Sequence, residues 1–150
     1  MFSQRLGPSF FGTVQGRVRE RLAEADLDAV LTDDPEDVAY LTGFFHHPCE
    51  RPVAVWLDTG GRCVLLLPEL EREHAEAQRA AATLVSYPEY PGVRPPFAAL
   101  ADVVGTGRMR AGHTTSISFQ RLAAATAALS TVDFWPTEIV TKCRAVKQPE

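Results

Sequence analysis

Cysteine is scarce in this sequence of 150 residues. The three present, Cys49, Cys63 and Cys143, are odd in number, widely spaced and free of any Cys-x-x-Cys pattern. That excludes a disulfide-stapled scaffold and a thiolate metal site of ordinary spacing, and it predicts reduced thiols in a cytoplasmic protein. Long hydrophobic runs are missing as well. No stretch approaches the about 20 apolar residues that cross a bilayer. Met1 to Gly12 also lacks the continuous apolar core of a signal peptide, so a soluble chain with no membrane partner is expected. Positive charge is not in excess: the net charge is -4, and Arg17, Arg19 and Arg21 alternate with apolar or acidic neighbours instead of forming a basic stripe. Nucleic acid is therefore not an expected partner. No Gly-x-Ser-x-Gly elbow occurs, which removes a common setting for Ser/His/Asp chemistry.

What is present fits one domain, long enough to bury roughly 70% of the surface its unfolded form exposes. The segment from Leu27 to Phe44 is the most informative. Ala29 to Leu31 reads as a short core strand, Asp34-Pro35 supplies an N-cap carboxylate with proline at the first helical position, and Gly43 supplies a left-handed stop. Before it, Thr13 to Ala25 places Val14, Val18, Leu22 and Ala25 on one helical face.

After it, Val53–Leu57 and Cys63–Leu67 are apolar runs joined by Asp58-Thr59-Gly60-Gly61-Arg62, a hairpin signal. A helix is expected from Pro68-Glu69 to about Ala82, with Leu70, His74, Ala77 and Ala81 along one face. A strand at Leu84–Tyr87 and a proline-rich loop, Pro88 to Pro96, come next. Phe97, Leu100, Ala101 and Val104 mark a helix closed by Gly105. Arg108–Gly112 reads as a weak strand, short or irregular, and Ser118 caps a helix facing inward through Leu122, Ala125 and Leu129. Val132–Trp135 is a further strand, and Thr137 starts a last helix with Ile139, Val140 and Cys143 inward. One hairpin among helix-linked strands predicts a three-layer α/β/α fold with a mixed sheet. The chain stops inside a charged, helix-compatible segment, Arg144 to Glu150, so it reads as cut from a longer protein.

Chemistry is harder to find. The densest polar cluster is His46-His47-Pro48-Cys49-Glu50-Arg51. Adjacent histidines in an extended segment point opposite ways, and the proline disfavours the helical i, i+4 face that gathers two ligands. A thiol or metal centre on His47, Cys49 and Glu50 would need groups from elsewhere, because the next element is a strand rather than an activating helix N-terminus. Gly60-Gly61 likewise leads into a strand, not into the helix of a phosphate loop. His113 sits in a hydroxyl-rich turn, and Asp33, Asp34, Glu36 and Asp37 cluster at one helix start, where capping and dipole interactions account for them. No self-contained catalytic centre emerges.

The wording Tyr40-Leu41-Thr42-Gly43-Phe44, the passage Leu65-Leu66-Leu67-Pro68-Glu69-Leu70-Glu71-Arg72-Glu73-His74-Ala75 and the closing Ile139 to Glu150, with its Arg-x-x-Lys-x-x-Glu pattern, occur in an order that resembles the N-terminal domain of the creatinase/prolidase family. The resemblance spans about Val18 to Glu150. It implies a ribonuclease-H-like mixed sheet, and a separate pita-bread catalytic domain after residue 150, where Asp, Glu and His ligands hold two divalent metal ions, manganese or cobalt. No catalytic or metal-ligating residue is then expected in this chain. Its implied work is to shape substrate access for an Xaa-Pro dipeptidase or aminopeptidase and to support a homodimer, with its own C-terminal domain and a peptide substrate as partners. The loop after Gly43-Phe44 supplies the implied contacts. Arg51 is either a bidentate partner for a substrate carboxylate or an ordinary surface ion pair. Phe45, His46 and His47 line the same mouth. A freestanding binding or dimerisation module, and the N-terminal domain of a creatinase-like amidinohydrolase, are the alternatives.

Overall fold

The computed structural model describes residues 7–88 and 94–146. Helix α1 (Pro8–Glu24) begins a turn earlier than periodicity predicts, because Pro8 suits a first helical position and Phe11 continues the buried row of Val14, Val18 and Leu22. Ala25 lies outside the row, exposed beyond the helix end. Strand β1 (Ala29–Thr32) leads into α2 (Pro35–Thr42) as expected. The Asp34 carboxylate accepts a hydrogen bond from the Glu36 N–H at 2.9 Å, and Gly43 ends the helix at φ 80°. A side chain at Gly43 would also bring a Cβ to 2.8 Å from the Phe11 ring, so both conformation and space require glycine there.

Strands β2 (Ala54–Asp58) and β3 (Cys63–Pro68) form the predicted hairpin. Asp58 closes it by accepting from the Arg62 N–H at 2.9 Å and from Arg62 Nε at 2.7 Å. The helix expected from Glu69 to about Ala82 is shorter and differently phased. A 3-10 turn (Glu69–Glu71) precedes α3 (Arg72–Ala77), and Arg79 at φ 55° turns the chain back toward β4 (Thr83–Tyr87). The tighter turn, about 3.0 residues against 3.6, rotates the sequence so that Ala75 faces inward while Leu70, His74 and Ala77 face out. Gln15 fixes this return. Its amide donates to the carbonyls of Leu41 and Ala81, each at 2.9 Å.

Helix α4 (Pro96–Val104) and strand β5 (Met109–Thr114) follow. The expected weak strand is a six-residue interior one, paired on both edges. Local propensity undersells it because tertiary pairing, not its Arg and Gly content, decides the matter. Helix α5 (Phe119–Ala128), capped by Ser118, strand β6 (Val132–Thr137) and helix α6 (Ile139–Ala145) complete the domain. Residues 89–93 of the proline-rich loop and 147–150 of the closing pattern lie outside the described residues.

The sheet order is β4-β3-β2-β1-β5-β6, with β2 antiparallel to both neighbours and the other strand pairs parallel. Strand alternation sends Val30, Val55, Leu57, Leu65 and Leu67 to one face, under α1, α2, α3 and α6. Leu31, Trp56, Val64 and Leu66 go to the other, under α4 and α5. The three-layer mixed-sheet fold read from the sequence is the fold observed.

Candidate functional site

The five parallel strands end at one edge of the sheet, and β2 starts there. The loop joining α2 to β2, residues 43–53, leads to this edge and carries Phe45, His46, His47 and Arg51. It has no regular secondary structure, yet its main chain is held at three points. Gln78, just past α3, accepts from the Phe45 N–H at 2.8 Å and donates to the Phe45 carbonyl at 3.0 Å, engaging both backbone groups of one residue. Arg121, in the first turn of α5, donates to the Cys49 carbonyl at 2.9 Å. Tyr87, at the end of β4, donates its hydroxyl to the Pro52 carbonyl at 2.6 Å.

With its backbone engaged, the loop turns side chains outward. Phe45 is 69% exposed, and His47, Glu50 and Arg51 are exposed as well. His46 behaves differently. Its ring stacks on buried Phe44 at 5.5 Å between centroids and 6° between planes, while His74 meets the same Phe44 edge-on at 5.7 Å. The His46 Nδ1 is buried with no hydrogen-bond partner among the described residues, and burial pushes the imidazole below its ordinary pKa, with Glu71 opposing. The structure thus brings the four predicted contact residues onto one loop but divides them: three outward, one folded against the core. His74 bridges toward Gln78 at 3.0 Å and Glu71 at 3.4 Å, which extends the same polar cluster.

Of the acidic residues at the start of α2, only Asp34 acts as the predicted cap. Asp33 forms an ion pair with Arg121 at 2.9 Å, the two side chains being 9% and 21% exposed. Asp37 is fully buried, accepts from the Thr32 hydroxyl at 2.9 Å and pairs with Arg144 Nε at 3.0 Å, while Glu36 takes the other arm of Arg144 at 2.6 Å. Sequence reasoning assigned these carboxylates to local capping because their partners lie about a hundred positions away in the chain. Gln78, Tyr87 and Arg121 were also missed. One signal existed: Arg121 puts a cation in the first turn of a helix, against the macrodipole.

Among the described residues, no group of three or more His, Cys, Asp or Glu is arranged to hold a metal ion. The three cysteines are unpaired, Cys49 exposed and Cys63 and Cys143 buried. Burial raises the Cys63 thiol to about 12, far from a reactive thiolate. A surface depression of about 600 Å³, lined by Asp28, Arg108, Arg110 and Asp133 among others, lies at the opposite ends of β5 and β6, away from the loop. No helix among the described residues is long and apolar enough to cross a membrane.

The sheet order and the helices packed on both its faces define a three-layer α/β domain with a mixed sheet. Residues 15–146 match the Creatinase/Prolidase N-terminal domain, and the chain belongs to that family. Over 71 residues it is 30% identical to an uncharacterized peptidase of Staphylococcus saprophyticus, a match spanning 47% of this chain and 20% of that relative. Its fold superimposes with a TM-score of 0.74 on the Creatinase/Prolidase N-terminal domain of an X-Pro dipeptidase from Streptococcus pyogenes, at 19% identity over 87% of this chain and 97% of the other. A dipeptidase from Mycobacterium ulcerans gives a TM-score of 0.79 at 19% identity, covering 96% of this chain and 39% of that protein. At these identities the likeness establishes the fold.

Proposed function

We propose that this chain is the non-catalytic N-terminal domain of an Xaa-Pro peptidase-like metallohydrolase, and that the 43–53 loop borders the path by which peptide reaches a separate catalytic domain. The observation that carries the reading is Phe45: a large apolar side chain 69% exposed on a loop whose backbone is bonded from three elements. A single exposed apolar residue is ordinary. Leu70, in the 3-10 turn after β3, and Phe119, the first residue of α5, are 68% and 86% exposed near the edge at which β3 and β5 end, so that edge resembles a contact face. Arg51 adds a planar cation suited to the carboxylate of a short peptide. The same edge is the surface we assign to dimer contact. The described residues do not fit a two-metal centre, so the divalent ions are assigned to the catalytic domain, as is any metal-activated water.

The test uses the complete gene product supplied with manganese or cobalt. Hydrolysis of Xaa-Pro peptides is expected, with Arg51→Ala raising KM while leaving kcat within about twofold, the pattern of lost binding common to ground and transition states. Absence of such hydrolysis in the complete protein, or its presence in residues 1–150 alone, would sink the reading.

A further inference from the structure

We infer that Arg121 is a positioning residue for the 43–53 loop, with Asp33 as its anchor; this rests on the reading of that loop as the border of a peptide path. Residue 121 occupies the first turn of α5, where the free N–H groups and the macrodipole favour an acidic or neutral side chain. Arginine there opposes the local helix rule. Its backbone N–H is already satisfied by the Ser118 hydroxyl at 3.1 Å, so the side chain is not needed for capping. Both ends of its guanidinium instead leave the helix: Nη1 meets Asp33 at 2.9 Å, and Nη2 meets the Cys49 carbonyl at 2.9 Å.

The fork geometry makes this a relay rather than two separate contacts. Asp33 directly follows β1, one of the two central strands, and is itself mostly buried, so it fixes where the guanidinium plane lies. A planar group fixed at one nitrogen presents its second nitrogen in a set direction. That direction carries the Cys49 carbonyl, two residues before Arg51 and two after His47. Gln78 holds the loop at Phe45 and Tyr87 holds it at Pro52; Arg121 supplies the contact between them. Without it the Cys49 carbonyl, between His47 and Arg51, loses its link to α5. Lysine at this position would keep the charge opposite Asp33 but lack the fork that reaches both oxygens.

The experiment compares wild type, Arg121→Ala, Arg121→Lys and Asp33→Asn in the complete gene product. Amide hydrogen exchange is read alongside steady-state kinetics on an Xaa-Pro dipeptide. Arg121→Ala is expected to accelerate exchange across residues 46–51 while β1, β3 and β5 stay protected, and to raise KM about tenfold with kcat within about twofold. Arg121→Lys is expected to restore thermal stability but not loop protection or KM, which separates positioning from charge balance. Unchanged exchange at 46–51 in Arg121→Ala, or full rescue by Arg121→Lys, would overturn the assignment. If Arg121→Ala does not fold, Arg121→Lys and Asp33→Asn carry the same comparison. Wild-type protein without Xaa-Pro hydrolysis would remove the functional reading, and the exchange data alone would then decide whether Arg121 positions the loop.

Discussion

Replacing Arg144 with alanine removes the cation facing a fully buried carboxylate, and the structure sets the size of the effect. Asp37 has no exposed surface, and its two oxygens accept from Thr32 and from Arg144. Burial pushes its carboxyl up, while the bonds from Thr32 and Arg144 pull it back only in part. Without Arg144 the ionised form loses the cation bonded to it. Breaking a buried pair from one side typically costs about 3–5 kcal/mol. The cost has a ceiling, because the group can take up a proton: neutralising an ordinary carboxylate at pH 7 requires only about 4 kcal/mol. Arg144 is 27% exposed, so water offsets some of the loss, and the expected destabilisation is about 2–4 kcal/mol.

Asp37→Asn should cost less, about 1 kcal/mol, since a neutral amide still accepts one bond and needs no desolvation of charge. In that background Arg144→Ala should cost about 1 kcal/mol or less, leaving a coupling of about 2 kcal/mol. Urea denaturation of the purified chain measures this. With a slope of about 2 kcal/mol/M, a loss of about 3 kcal/mol lowers the midpoint by about 1.5 M. The pH profile provides an independent sign. A raised folded-state carboxyl contributes stability that is fully present below the unfolded pKa and is lost as pH rises through the folded value. The deficit of Arg144→Ala should therefore shrink as the medium is acidified toward about pH 4. An equal cost of Arg144→Ala in the wild-type chain and in the Asp37→Asn chain would refute the account, because the loss would then come from packing of the arginine stem.

Two further outcomes are expected. A Cβ at Gly112 would run into the Thr137 side chain and approach Leu27, so Gly112→Ala should destabilise by about 1–3 kcal/mol, and Thr137→Ser in the same chain should return part of it, read by thermal melting. His46, held neutral by burial, has a folded pKa below its unfolded one. Its contribution is present above about pH 6.5 and is lost as pH falls through that region, and His46→Phe, which keeps the stack on Phe44, should remove this part of the pH dependence of urea stability.

The elements legible in the sequence were those specified by neighbours in the chain. Asp34-Pro35 and Gly43 bound α2 through local hydrogen bonds and a left-handed backbone, and Ser118 caps α5 in the same way. The hairpin and the three-layer architecture follow from alternation and element order. What stayed hidden depended on distant partners. The interior place of β5 is decided by pairing to β1 and β6, which no property of Met109–Thr114 announces. The phase of α3 turns on a 3-10 turn that periodicity cannot distinguish from a continuous helix. Within the candidate site, the loop and its Phe45, His46, His47 and Arg51 were identified from the family pattern. The division between outward and core-facing members was not, because it depends on Phe44 offering a ring for His46. Gln78, Tyr87 and Arg121 act through side chain to main chain bonds, whose backbone N–H and C=O partners recur at almost every residue and leave no trace in the residue type of the loop.

The strand order has a consequence for where ligands can enter. From β1 the sheet grows outward through β2, β3 and β4, then returns to the far side of β1 with β5 and continues to β6. In open α/β sheets the crevice at such a reversal, outside the carboxyl ends of the strands, is the usual seat of a small molecule. Here the two segments leaving β1 and β5 are joined across that crevice by Asp33 and Arg121. The opening at this reversal is bridged by the protein itself, and the hydrogen-bonding capacity of Arg121 is directed to a loop. A small molecule approaching this edge would meet the Asp33–Arg121 pair before it could settle between β1 and β5.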